Sequence, residues 1–351
     1  MSFLRTSVLP DLPLVSLPGL AAALALVLVL AGCGGGSTDS VSVDGSSTVF
    51  PLTEAVAEKF MEANQGARVN VGVSGTGGGF SKFLRGETAI NDASRPISPE
   101  EIEKAESNDV EYIELPVAYD GLAVMVHPTN DWADCLTANE LQELWKPNSP
   151  IDRWNQLRDE FPDRPIELYG PGTASGTYDY FTEAIVGESG ASRSDYTASE
   201  DDNVLAQGIK NTESALGYFG LAYYENNVDE LRAIGIDPDE RDGGVSCVTP
   251  SAETVQNGSY RPLSRPLFIY VNVDKITPSV EKFVEFYLNN ADELASDVGY
   301  VAMPEDAYEL ALERFRARTT GTVFGAEVVD ATGTRVEEML QAASEDTVGQ
   351  E

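Results

Sequence analysis

Three times along this chain a short apolar strand runs into a turn of Ser, Thr and Gly and then into an amphipathic helix. In "VSVDGSSTVFPLTEAVAEKF" the strand leads to Ser46, Ser47 and Thr48, and Val49, Leu52, Val56 and Phe60 follow at helical spacing. In "RVNVGVSGTGGGFSKFLRG" the strand Arg68 to Val73 leads to a glycine-rich turn, after which Phe80, Phe83 and Leu84 begin a helix. In "PIELYGPGTASGTYDYFTEAI" the strand Ile166 to Tyr169 leads to Ser175, Gly176 and Thr177, with Tyr178, Phe181 and Ile185 on one helix face. Short strands alternating with amphipathic helices specify an α/β fold. No repeat of fixed period accompanies this loose similarity.

One such turn would be read as a helix cap, because a hydroxyl oxygen at that position satisfies a free backbone N–H. Three turns that combine hydroxyls with glycine let backbone N–H groups approach one ligand from several directions, at the carboxyl ends of the strands. Helix starts carry unpaired N–H groups and partial positive charge, so an anion suits them.

Two longer apolar segments, Glu114 to Pro128 and Arg265 to Val273, read as strands that cross between two lobes and serve as a hinge. The crossings assign residues 40–117 and 268–345 to a first lobe and 118–267 to a second. The end, residues 346–351 within "SEDTVGQE", reads as a disordered tail.

Residues 1–32 read as an export leader. Arg5 precedes an apolar stretch from Leu20 to Ala31 that closes on "LAGC", short for a membrane span and bounded by small residues, as in a signal peptide with a lipobox. Cleavage there leaves Cys33 as a lipid-bearing N-terminus with a flexible tether over residues 33–39, in the periplasm or at the cell surface. In an exported chain the other two cysteines, Cys135 and Cys247, read as a disulfide, two separate buried thiols being the alternative.

The chain has 58 acidic and 23 basic residues, a formal net charge of −35. That excludes a nucleic-acid partner, since no basic face exists, and an anion must be held by local donors against the field of the whole protein. A salt-rich habitat would fit, because salt screens such self-repulsion.

Several motifs resemble other chemistry without meeting its spacing. "GTGGG" at Gly75 to Gly79 has Phe80 where a dinucleotide fingerprint needs glycine. "PGTASGT" is not a nucleophile elbow, and a Ser–His triad would have to use His127, the sole histidine. "DPDERDGG", Asp237 to Gly244, misses calcium-loop spacing, and no Cys/His cluster exists for zinc, so neither metal nor cofactor is expected. Ser94 and Arg95 lie in the polar turn "ASRPIS", where a guanidinium fork would match a tetrahedral oxyanion. "SEDDNVLAQGI" sets acids ahead of an apolar helix, as caps or as ligand groups.

The ordered set "VDGSSTVFP", "SGTGGGF", "ASRPIS", "LWKPNSPIDRWNQL", "GPGTASGTYDYFTEAIVG", "ASRSDYTASEDDN", "ALGYFGLAYY" and "RPLSRPLFIYV" resembles the PstS family, the phosphate-binding subunits of Pst ABC transporters, in its SphX-like branch. The resemblance spans nearly all of the chain beyond Cys33. It implies a two-lobed periplasmic-binding-protein fold of type II, closing over inorganic phosphate and delivering it to an inner-membrane ABC permease and its ATPase. A monomeric binding protein, not an enzyme, is the expectation. Other oxyanions (sulfate, molybdate, tungstate) and a secreted phosphoester hydrolase are the alternatives.

Family ligand positions carry over to Thr48, Thr76, Ser175, Gly176 and Thr177. Ser47 and Val49 in the first turn and Ser94 beside Arg95 complete the candidate set. The departures are Pro171, where well-known members carry arginine, and Arg95, where they carry aspartate. The expectation is therefore that Arg95 supplies the positive charge and Asp202 accepts the ligand's proton.

Overall fold

The structure, a computed structural model, describes residues 40–238, 247–324, 333 and 335–348. The leader, Cys33 and the tether lie outside the described residues, as do residues 239–246, which hold all but the first two residues of the acidic run Asp237 to Gly244.

Each strand–turn–helix unit folds as its spacing requires. Strand β1 (Ser40–Gly45) leads to helix α1 (Phe50–Ala63), and β2 (Arg68–Val73) leads to α2 (Thr76–Phe83). Val49, Leu52, Val56 and Phe60 are all buried, as are Phe80, Phe83 and Leu84. Next come β3 (Ile90–Ala93), α3 (Pro99–Ser107), the long β4 (Tyr112–Val126), β5 (Cys135–Thr137) and α4 (Ala138–Trp145). The third unit is β6 (Glu167–Pro171) and α5 (Gly176–Phe181), the latter continuing as a π-helical turn over Thr182–Val186. Then follow β7 (Thr197–Ser199), α6 (Asp202–Asn211), β8 (Ala215–Gly220), α7 (Leu221–Glu225), β9 (Arg232–Ala233), β10 (Gly235–Asp237) and α8 (Ala252–Gln256). The chain returns through β11 (Ser264–Asn272) and finishes with α9 (Pro278–Asp297), α10 (Glu305–Ala317) and α11 (Val336–Val348).

The main sheet runs β2-β1-β3-β11-β4-β8-β6-β7, with β9 also paired to β4. Pairing is parallel within β2-β1-β3 and within β8-β6-β7, whereas β11 and β4 are antiparallel to their neighbours. Every residue of β4 and β11 is buried. β4 pairs with β11 from Tyr112 to Gly121 and with β8 from Leu122 to Val126, and the β11 register shifts between Leu267 and Phe268. Two parallel strand groups, the lobes, thus share one antiparallel pair of crossing strands.

Aromatic cores fill both lobes. Phe60 of α1 meets Phe283 and Phe286 of α9 edge-on, at 5.3 and 5.4 Å between centroids. In the other lobe Phe181 stacks on Tyr218 at 3.6 Å, and Trp145 meets both rings edge-on. β5 and β10 pair in parallel beside this core. Cys135 and Cys247 form a disulfide there, with Cα atoms 6.0 Å apart.

The C-terminus differs from expectation. Helix α11 covers residues 346–348, the first three of the segment 346–351 read as a disordered tail, and residues 349–351 lie outside the described residues. Val336, Met339, Leu340 and Ala343 recur at helical spacing, Val336 and Leu340 are buried, and no Gly or Pro interrupts the run before Gly349.

Candidate functional site

Adjacent strands place the hydroxyl turns side by side. Gly45 is in register with Val73 on β2 and with Asp92 on β3, so residues 46–48, 74–76 and 94–95 leave the same carboxyl edge of three neighbouring strands. In the other lobe Pro171 is in register with Ser199, which sets the Ser175 turn beside the start of α6. Both edges carry strand-end loops, the usual address of a ligand in open α/β sheets.

The first two turns do not cap their helices. Val49 and Gly75 occupy the N-cap positions of α1 and α2, and neither makes a side-chain capping bond. Gly75 adopts φ 74°, a left-handed conformation natural to glycine, which turns the chain directly into α2. Ser46 Oγ accepts from Thr48 N at 3.2 Å, while Ser47 is half-buried in the same turn. The third turn does cap: Ser175 Oγ accepts from Thr177 N at 3.2 Å, at the head of α5.

Two hydroxyl clusters result. In one, Thr76 and Ser94 share a side-chain hydrogen bond at 3.1 Å, and Ser94 N donates to Thr76 Oγ1 at 3.2 Å. In the other, Thr48 of the first lobe meets Gly176 of the second. A Cβ on Gly176 would lie 2.7 Å from Thr48 Oγ1, 2.9 Å from its Cα and 3.0 Å from its N, so the two turns touch with no room for a side chain between them. Tyr300 OH donates to the Thr48 carbonyl and holds the turn from behind.

Two guanidinium groups border these clusters. Arg95, on the Thr76–Ser94 side, donates from Nη1 and Nη2 to the two Glu101 oxygens at 2.8 and 2.9 Å and lies over the Phe80 ring. Glu101 thereby raises the Arg95 pKa, and Glu183 adds to this from farther off. Arg265, at the start of β11, is buried, and its Nη2 donates to Thr48 Oγ1 at 3.4 Å. Sequence reading missed Arg265, whose partner Thr48 lies 217 positions away. The available signal was a lone basic residue in an apolar strand, opposite Asp120 in the other.

Three carboxyl groups near the cleft are pushed toward their neutral forms by burial. Asp120 is raised to about 6, with Arg265 opposing the shift. Asp202, half-buried at the first turn of α6, is raised to about 6, with Asp201 adding to burial. Asp179 is also raised, with Ser189 and Arg265 opposing. The structure sets Asp202 on the strand edge that bears Ser175, and Asp201, not Asp202, caps α6. His127 follows β4, and its Nδ1 pairs with Thr129 Oγ1 at 2.8 Å, while Ser175 is engaged as a cap. No group of His, Cys, Asp and Glu among the described residues is arranged to hold a metal ion. A cavity of about 670 Å³ beside α3 is lined by Glu106, Asp109, Glu111 and Asp274, a poor setting for an anion.

Comparison with known proteins gives this arrangement its context. The PBP superfamily domain matches residues 34–291. Protein SphX of Synechocystis sp. is 49% identical over 309 residues, covering 87% of this chain and 90% of that protein. The phosphate-binding protein PstS of Staphylococcus saprophyticus is 37% identical, covering 82% of this chain and 89% of that one. The crystal structure of a possible phosphate binding protein from Planctomyces limnophilus superposes with a TM-score of 0.75 at 42% identity, over 80% of this chain and 98% of that one. The chain belongs to the PBP superfamily, with the type II fold, alongside proteins named SphX and PstS.

Proposed function

We propose that this protein binds inorganic phosphate outside the cytoplasmic membrane and delivers it to an ABC permease and its ATPase for uptake. The observation that carries the reading is the meeting of Thr48 with Gly176: hydroxyl-rich turns from opposite lobes converge with uncapped helix starts beside them. Backbone N–H groups and hydroxyls are neutral donors that hold an oxyanion without a cationic surface, as a chain of charge −35 requires. Relatives named for phosphate binding support the choice of ligand.

In this reading Ser47, Thr48 and Val49, Thr76 and Ser94, and Ser175, Gly176 and Thr177 supply N–H and O–H donors. Arg95 supplies charge from the guanidinium edge that Glu101 leaves free, and Asp202 accepts the ligand's proton. Hydrogen phosphate carries such a proton, whereas sulfate sets a bare oxygen against the carboxylate and is repelled. Closure pivots on β4 and β11, lobe 1 comprising residues 40–117 and 268–345 and lobe 2 residues 118–267. A monomer anchored by lipid on Cys33 completes the proposal. No helix among the described residues is long and apolar enough to cross a membrane. Calorimetric titration of the ligand-stripped protein with phosphate tests the reading, and absence of saturable binding would refute it. Incubation with a chromogenic phosphoester tests the hydrolase alternative, and no product release is expected.

A further inference from the structure

Arg265 is bordered by side chains from both lobes, although its buried Nε has no hydrogen-bond partner. Its Nη2 lies 3.4 Å from Thr48 Oγ1, its Nη1 3.4 Å from Glu183 Oε2, and its Nε 3.6 Å from Asp120 Oδ2. Its guanidinium carbon stands 3.7 Å from the centroid of the Tyr180 ring, which is fixed in turn by a bond from Tyr180 OH to the Pro262 carbonyl at 2.9 Å. Asp120 is the cross-strand partner of Arg265 where the two crossing strands pair. Tyr180 and Glu183 lie on α5 and its π-helical continuation, and Thr48 belongs to the first turn of the other lobe. One buried cation therefore touches both crossing strands, the second lobe's ligand-facing helix and the first lobe's ligand-facing hydroxyl.

The chemistry of that last contact is directional. A threonine hydroxyl has one hydrogen to give and two lone pairs to receive with. A guanidinium N–H directed at Oγ1 takes a lone pair, which leaves the hydroxyl hydrogen free to point outward and makes it a better donor. With Glu183, Asp179 and Asp120 around it, Arg265 is hemmed by acids and ill placed to take the ligand itself.

We propose that Arg265 is a positioning residue: it sets Thr48 as a hydrogen-bond donor to the bound oxyanion, and does so when the lobes are closed, coupling closure to affinity. The contact crosses between lobes, so an open cleft would separate Arg265 from Thr48 and release that hydroxyl to bond water. The inference rests on the phosphate-binding reading.

A double-mutant cycle tests it on the mature chain, with inorganic phosphate as the titrant in calorimetry. Wild type is measured first; failure to bind phosphate would overturn the functional reading itself. Arg265→Gln and Thr48→Ala are then measured singly and together. If Arg265 acts through Thr48, the fold-loss from Arg265→Gln is at least about threefold greater with Thr48 present than in Thr48→Ala. A smaller difference overturns the proposal, because a cation that acts independently of Thr48 loses the same factor in both backgrounds. Near-UV circular dichroism checks that each variant is folded. Should Arg265→Gln not fold, Arg265→Lys, which keeps the charge and loses the fork, takes its place in the cycle under the same criterion.

Discussion

Gly176 sets how closely the lobes approach. Its missing Cβ leaves the space into which Thr48 fits, and an alanine methyl there would overlap the Thr48 hydroxyl and backbone. Alanine is otherwise well suited to the first turn of a helix, so Gly176→Ala is expected to leave the melting temperature nearly unchanged. Phosphate affinity is expected to fall at least about tenfold by calorimetry, since closure would have to stop short. Wild-type affinity in this variant would remove the contact from the mechanism. Loss of Arg95 as a ligand group is expected to cost about 1.5–3 kcal/mol of binding in Arg95→Ala, the value of a charge-assisted contact. Unchanged affinity would leave Arg95 with a structural role alone, paired to Glu101 and the Pro96 carbonyl over the Phe80 ring. Asp202→Asn is expected to narrow the gap between phosphate and sulfate affinity more than it weakens phosphate, because the amide offers sulfate a donor where the carboxylate repelled it. If sulfate is still rejected as in wild type, another group reads the proton.

Within its strand, Asp92 of β3 carries a cost that pH should reveal. Its side chain is fully buried, and burial raises it from 3.8 to about 8, with Thr53 opposing the shift and Asp44 adding to it. A carboxyl whose folded pKa lies above its unfolded value is at no disadvantage below about pH 4. Folding then loses stability as pH rises toward 8 and levels off above, by an upper figure on the order of 6 kcal/mol. Asp92→Asn removes that titration. Its stability relative to wild type, from denaturant melts, should rise between pH 4 and pH 8, and a gap independent of pH would contradict the buried-acid account.

The strand–turn–helix elements were legible because hydrophobic spacing and turn chemistry are local: Val49, Leu52, Val56 and Phe60 mark the buried face of α1 wherever that helix sits. Arg265 was not legible, because its meaning lies in Thr48, Asp120, Tyr180 and Glu183, which only the folded sheet assembles. Its identity as a charge in an apolar crossing strand was visible. The direction in which it points was not. The same holds for Arg95, whose pairing with Glu101 follows from the entry of α3, where Glu101 also completes a capping box with Ser98.

For the molecule as a whole, the second lobe is tied together by Cys135–Cys247, which encloses a 112-residue separation. Loop entropy gives at most about 4–5 kcal/mol to that link, so reduction should lower the melting temperature without abolishing phosphate binding at 25 °C. The charge of −35 makes the surface self-repelling, and added salt should raise stability. The claim on which the rest depends is that the cleft between Thr48 and Ser175–Thr177 takes phosphate in preference to sulfate. Calorimetric titration of the ligand-stripped chain with each anion at equal ionic strength measures this directly. The expected result is one phosphate bound with a dissociation constant of about 1 μM or below, and sulfate at least about 100-fold weaker. Equal affinities, or tighter sulfate, would contradict it.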